Sequence, residues 1–254
     1  MGIVRLALAL AVMCTHLGAF PGYAGMTGGQ AVQCFFIISG FYMAMIINER
    51  YGVGAAQYRA FLGSRALRIY PLYLLVLGLS LLASLAIGTR NDTGGLLLLA
   101  DDADTGIMNP LTKGLFAAAS LLLVGISWLS FHTAVDAESG GLRLLPYAYG
   151  EPHPGNVFFI MPQAWTLDLE VTFYCLAPLI LRRRGLVAAM LAASLGADVL
   201  LRAGVLGEHA MRNTLPAQLW LFCLGALAFG AYARLKDSAR LGRLPQTAFW
   251  ASLG

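Results

Sequence analysis

The stretch GQAVQCFFIISGFYMAMII, residues 29 to 47, holds nineteen consecutive residues without a charge. At 1.5 Å per residue a helix of that length rises about 28 Å, close to the roughly 30 Å hydrocarbon core of a bilayer. Comparable apolar runs lie near 3–20, 69–89, 114–130, 157–181, 185–202 and 213–232, and an eighth starts near Phe249. A segment surrounded by lipid must satisfy its own backbone hydrogen bonds, and no alternating ten-residue segments argue for a barrel, so these spans read as helices. The fold class expected is all-α, a polytopic transmembrane helical bundle, in a single domain over 1–254. Composition points the same way: 58% of the 254 residues are hydrophobic, 12% are charged, and the mean hydropathy is +0.70. Soluble proteins carry about 25% charged residues. A water-facing surface cannot be supplied from this chain, which excludes a soluble enzyme.

The charges are placed, not scattered. Arg50, Arg59, Arg65 and Arg68 share one loop, Arg182, Arg183 and Arg184 a second, and Arg234, Lys236, Arg240 and Arg243 a third. With Arg5 these are 12 of the 17 basic residues, and the positive-inside rule makes all four places cytoplasmic. The N-terminus is therefore expected in the cytoplasm of a multi-pass inner-membrane protein. The net charge of +4 is a topology signal and gives no support to nucleic-acid binding. Seven of the 13 acids, Asp92, Asp101, Asp102, Asp104, Asp136, Glu138 and Glu151, fall between 90 and 160, which reads as extracytoplasmic. If every run crossed fully, three crossings would separate the loop at 48–68 from Arg182, Arg183 and Arg184 and put that triplet outside. The expected resolution is that 114–130, interrupted by Gly125 and Ser127, is re-entrant or interfacial. The first run fits a cleaved signal peptide loosely, but Thr15 and His16 sit where an apolar core should continue, which favours a retained helix. Cys14, Cys34, Cys175 and Cys223 lie in apolar runs without CxxC spacing, and His132, His153 and His209 lack ligand spacing, so no metal site is expected.

Ionisable groups inside a bilayer are costly and are functional candidates by default. Arg5 and His16 are eleven residues apart, about three helical turns, so they share one helix face about 16 Å apart along the axis. That spacing suggests a cation at the cytoplasmic end and a titratable imidazole deeper in, where His is the usual general base near neutral pH. A topology anchor and a hydrogen-bonding core histidine are the plain alternatives. In WTLDLEVTFYCLAPLI, residues 165–180, Asp168 and Glu170 are separated by about 200° on a helix and cannot act as one pair. Glu170 instead stacks with Thr166 and Tyr174 at four-residue spacing. Arg65 and Arg68, three residues apart on a short helix before Pro71, aim the same way and make a fork suited to phosphate oxygens; a positive-inside signal explains them equally. Ser39 and Gly40 interrupt a bulky aromatic run and let another helix, or a ligand chain, come close.

Taken in order, Arg5 with His16, FFIISGF at 35–41, RALRIYP at 65–71 and WTLDLEVTFY at 165–174 resemble the acyltransferase-3 family of bacterial integral membrane O-acyltransferases. The resemblance covers about 3–235 and is weakest over 90–155. It implies that His16 is the catalytic centre supported by Arg5, that Glu170 belongs to the active site, and that Arg65 and Arg68 handle the donor. It further implies that Ser39, Trp165 and Tyr174 contact substrate. The donor implied is acyl-CoA, acetyl-CoA in first place, with no resident cofactor. The acceptor implied is a carbohydrate or lipid-linked glycan met at the bilayer. Family members have more membrane helices than the seven spans and the start of an eighth counted here, so the resemblance also implies a domain incomplete at its C-terminus. A transporter or flippase for a glycan or lipid-linked substrate, with Arg, His and Glu lining its path, is the alternative. No internal symmetry between two halves supports it.

Overall fold

A computed structural model describes residues 2–16, 25–87, 107–148, 150–204 and 213–237. The protein is an all-α bundle, with eight helices among the described residues. They are α1 (Gly2–His16), α2 (Gly28–Glu49), α3 (Ala55–Ile87), α4 (Pro110–Leu122), α5 (Ile126–His132), α6 (Trp165–Ile180), α7 (Arg184–Arg202) and α8 (Leu215–Asp237). A short antiparallel pair, β1 (Thr133–Val135) and β2 (Leu142–Leu144), follows α5, and two 3-10 turns at Gly155–Phe158 and Pro162–Ala164 lead into α6. Four helices, α2, α3, α7 and α8, are long and apolar enough to cross a membrane. On α3, Leu72, Leu75, Leu79 and Leu82 recur at helical spacing and are all more than half exposed. Such a stripe would be an aggregation face in water and is a lipid-facing one in a bilayer.

Two expected boundaries change. The basic stretch at 48–68 is not a loop beyond Gly54, because α3 begins at Ala55 and runs without interruption through Pro71. Ala, Arg, Leu and Gln are good helix formers whatever their polarity, so apolarity alone places the start too late. Pro71 costs one helical hydrogen bond at Leu67, on a turn where Leu67 is itself 77% exposed. The run at 157–181 is helical only from Trp165, since Pro154 and Pro162 interrupt what precedes it. The first helix is described to His16, so the end of the 3–20 run lies outside the described residues, as do the segment 88–106, His209 and the start of an eighth span near Phe249.

The described residues belong to two compact units. In the first, spanning Met1–Gly52, Ala177–Ala193 and Leu219–Gly254, α1 runs antiparallel to α2. Thr15 Oγ1 accepts from the Gly28 backbone at 2.9 Å and donates to the Ala11 carbonyl at 3.0 Å, pinning the end of α1 to the start of α2. Thr27 and Gln30 form a reciprocal capping box that begins α2. α2 and α8 cross closely. A methyl group at Gly40 would collide with the Phe222 carbonyl, and one at Gly225 with the Ile37 carbonyl, while Phe36 stacks on Phe222 at 4.7 Å.

The second unit spans Val53–Leu176 and Ser194–Gln218. Its core gathers Tyr73, Leu77, Phe116, Leu123, Ile126, Phe158 and Phe159, with Phe116 between the two later phenylalanines at 5.5 and 4.9 Å. The segment at 114–130 is broken, as the sequence suggests. α4 ends at Leu123 with φ +50°, and α5 starts after Gly125 with φ +81°. Tyr73 donates to the Ser120 carbonyl and Tyr70 to the Leu122 carbonyl, so α4 runs antiparallel to α3 and stops midway along it. α5 then returns along α6: its start is bound by Asp168 and its Phe131 meets Trp165. The pair therefore enters and leaves at the same end of α3. Thirteen residues of α4 rise about 20 Å, short of a roughly 30 Å core.

Candidate functional site

The structure brings two of the sequence-nominated groups together in each unit. In the second, Tyr174 and Glu170 lie one turn apart on α6, and the buried Tyr174 hydroxyl donates to the Glu170 carboxylate. Facing them, Arg65 of α3 lines a cavity of about 180 Å³ shared with Tyr174, Tyr70, Ile69 and Cys175. This volume suits one small chemical group rather than a whole ligand. Arg65 is partly buried, its Nε donating to Ser64 at 3.3 Å and its guanidinium lying 5.9 Å over the Phe61 ring. Tyr58 fixes the neighbouring contact by donating to the Cys175 carbonyl at 3.0 Å. Arg68 does not join the cavity and is exposed. The fork expected from RALR is thus divided: a helix turns about 300° over three residues, and only Arg65 faces α6.

In the first unit Arg5 meets α2 halfway along its length. Its Nη2 lies 3.4 Å from Ser39 Oγ and its guanidinium 5.6 Å over the Tyr42 ring, while Nε is buried without a hydrogen-bond partner among the described residues. Arg5 lies near the start of α1, and its partner is a residue in the middle of α2. α1 is pinned to the N-terminal end of α2 by Thr15 and Gly28, so Arg5 falls opposite Ser39, about 16 Å from the start of α2. His16 is the last described residue of α1, and its side chain lies outside the described residues. Ser39 bears a cation contact, and its neighbour Gly40 admits α8. Trp165 opens α6 and packs edge-on against Phe131 at 5.5 Å, a packing contact within the second unit.

Several residues that the sequence left without a partner have one. Asp168, 2% exposed, accepts from the Gly125 backbone at 3.0 Å and from the Ser127 backbone and hydroxyl at 2.8 and 2.6 Å. It holds the turn between α4 and α5 and satisfies the first amides of a helix with no side-chain cap of its own. Asp198 is buried and pairs with Arg202 one turn on at 2.8 Å. His132 is 2% exposed, with Nδ1 2.8 Å from the Pro146 carbonyl, and Nε2 is buried with no partner among the described residues. Burial lowers its pKa below the usual histidine value, against the Pro146 and Leu145 carbonyls, which raise it. Among the described residues no three His, Cys, Asp or Glu side chains cluster as metal ligands.

A family model described as an acyltransferase domain matches residues 1–254. The chain belongs to the acyltransferase-3 family. It is similar to nodulation protein 10 of Rhizobium leguminosarum bv. viciae, 26% identical over 208 residues, which cover 78% of this chain and 47% of that protein. The chain thus spans about half the length of the curated relative it matches. No solved structure matches it.

Proposed function

We propose that the protein is an integral membrane O-acyltransferase that moves an acetyl or other short acyl group from cytoplasmic acyl-CoA to a hydroxyl of a cell-envelope or secreted carbohydrate. Family membership supports the reaction class. The observation that carries the reading is the meeting of Arg65, Tyr174 and Glu170 from segments more than a hundred residues apart, in a chain whose long helices suit a bilayer. In this reading His16 takes the proton of the acceptor hydroxyl as that oxygen attacks the thioester carbonyl, the C–S bond breaks, and the departing coenzyme A thiolate takes that proton to leave as the thiol; in the covalent variant the imidazole displaces the thiolate first and then passes the acyl group to the hydroxyl. Arg5, held by Ser39 and Tyr42 about three helical turns from His16, supports the helix that carries the imidazole, and Tyr174 orients the Glu170 carboxylate within the second unit. Arg65 and Arg68 draw the anionic donor.

The test uses membranes carrying the chain, supplied with acyl-labelled acyl-CoA, and follows label into envelope glycan. Transfer by the wild type and its loss in His16→Ala support the reading. Wild-type labelling in both His16→Ala and Arg68→Ala overturns these roles, and glycan translocated without label would point to transport instead.

A further inference from the structure

A second cavity lies wholly within the first unit, about 670 Å³ in volume, between the C-terminal turns of α2 and α8 and the N-terminus of α7. Ligand sites typically occupy roughly 300–1,000 Å³. Among the described residues four cations from two separate segments line it, Arg182, Arg184, Arg234 and Lys236, against one carboxylate, Glu49. Arg182 is committed to structure: its Nη2 donates to the carbonyls of Ile47, Tyr51 and Gly52 and closes the end of α2. The side chains of Arg184, Arg234 and Lys236 have no hydrogen bond or ion pair among the described residues.

Positive-inside topology accounts for basic residues near these helix ends. It does not account for their convergence on one hollow. The N-terminus of α7 makes the same point in energetic terms. A helix N-terminus carries about half a positive charge and normally attracts Asp or Glu. Here the first turn holds no acid and follows Arg182 and Arg183, with Arg184 as its first residue. Positive charge is stacked on a positive helix end, and a bound anion relieves it. The apolar part of the wall, with Phe229 and Tyr232, gives the body of a ligand something to rest on.

We infer that this cavity binds a phosphate-rich ligand of nucleotide size, with Arg184, Arg234 and Lys236 and the first amides of α7 on its phosphates. Two sources carry that chemistry: the nucleotide end of the acyl donor and the headgroup of an anionic phospholipid. The first deepens the acyltransferase reading and rests on it. It places the donor's phosphates on residues apart from Arg65 and Arg68.

The 254-residue chain is reconstituted in phosphatidylcholine nanodiscs and titrated with coenzyme A and with adenosine 3′,5′-bisphosphate. A parallel arm measures retention of phosphatidylglycerol by native mass spectrometry. Arg184→Gln and Arg234→Gln are each expected to weaken the nucleotide by about tenfold or more, the loss typical of a charge-assisted contact. Arg183→Gln, beside the cavity but not lining it, is expected to change binding less than twofold. Arg184→Lys and Arg234→Lys keep the charge that governs insertion and separate lost binding from faulty topology. Retention of phosphatidylglycerol that the same two Gln variants abolish, with no nucleotide binding, supports the site and assigns it to lipid. Equal losses in Arg183→Gln and Arg184→Gln, or none in either arm, overturn it. Label transfer is read separately. Nucleotide binding without transfer defeats the acyltransferase reading and leaves the site, whereas transfer with an unchanged KM for acyl-CoA in Arg184→Gln defeats the site and leaves the reading.

Discussion

Asp168 and Ser127, 41 residues apart, are joined twice, the carboxylate accepting both the backbone N–H and the hydroxyl of Ser127. A third bond from the Gly125 backbone completes the clasp. These contacts hold a turn in which Leu123 and Gly125 both have positive φ, a conformation that Leu adopts at a cost. Asp168→Ala leaves buried donors without acceptors, and about 3 kcal/mol of stability should be lost. Thermal unfolding in detergent checks this. Asp168→Asn, which keeps one acceptor oxygen, should fall between the two, and an unchanged midpoint in Asp168→Ala would show that the clasp contributes nothing.

The crossing of α2 and α8 makes a paired prediction. Gly40→Ala and Gly225→Ala each press a methyl group into a carbonyl of the opposite helix and should destabilise by about 1–3 kcal/mol. Gly78→Ala on α3 meets nothing within 4 Å and should be neutral or mildly stabilising through helix propensity. Equal midpoints for all three would mean that the helices do not approach as described.

Within the candidate site, Tyr174→Phe removes the donor to Glu170 and leaves the ring in place. Acyl transfer should fall by about tenfold with KM for the donor little changed, as when an interaction orienting a reacting group is lost. Glu170→Ala, which removes the acceptor, should lower transfer similarly, and the double variant should be no less active than the less active single, because both remove one contact. Additive losses would place the two residues in separate roles.

His132 supplies a pH dependence. Its pKa is lowered on folding, so the folded state binds fewer protons than the unfolded chain. Its stabilising contribution is complete above the ordinary histidine value of 6.5 and is lost as pH falls through the lowered value. The loss amounts to about 1.4 kcal/mol for each unit by which folding lowers the pKa. Unfolding midpoints from pH 8 down to pH 5 should therefore fall more steeply for the wild type than for His132→Asn. Parallel curves would remove the imidazole from the account.

Periodicity and charge placement made the bundle, the long spans and the break near Gly125 legible, because each is a local property of a few turns of chain. Helix geometry also separated Asp168 from Glu170 correctly. The partners were not legible. Arg5 opposes Ser39 because Thr15 and Gly28 set the offset of α1 against α2, and no spacing within either helix encodes that offset. Asp168 reads as one more intramembrane acid until the turn at 123–125 is seen, since the amides it serves are freed only by the left-handed residues there. The start of α3 was misplaced because apolarity marks membrane contact, whereas helix formation depends on propensity.

The turn between α4 and α5 has a consequence for how far matter must travel. Inserted from one face of a bilayer, a segment that rises about 20 Å and turns back would leave only about 10 Å of a roughly 30 Å insulating layer beneath its tip. Under the proposed acyltransferase reading, a donor and an acceptor held in opposite compartments would then meet over the width of a few side chains, and neither would have to be carried across.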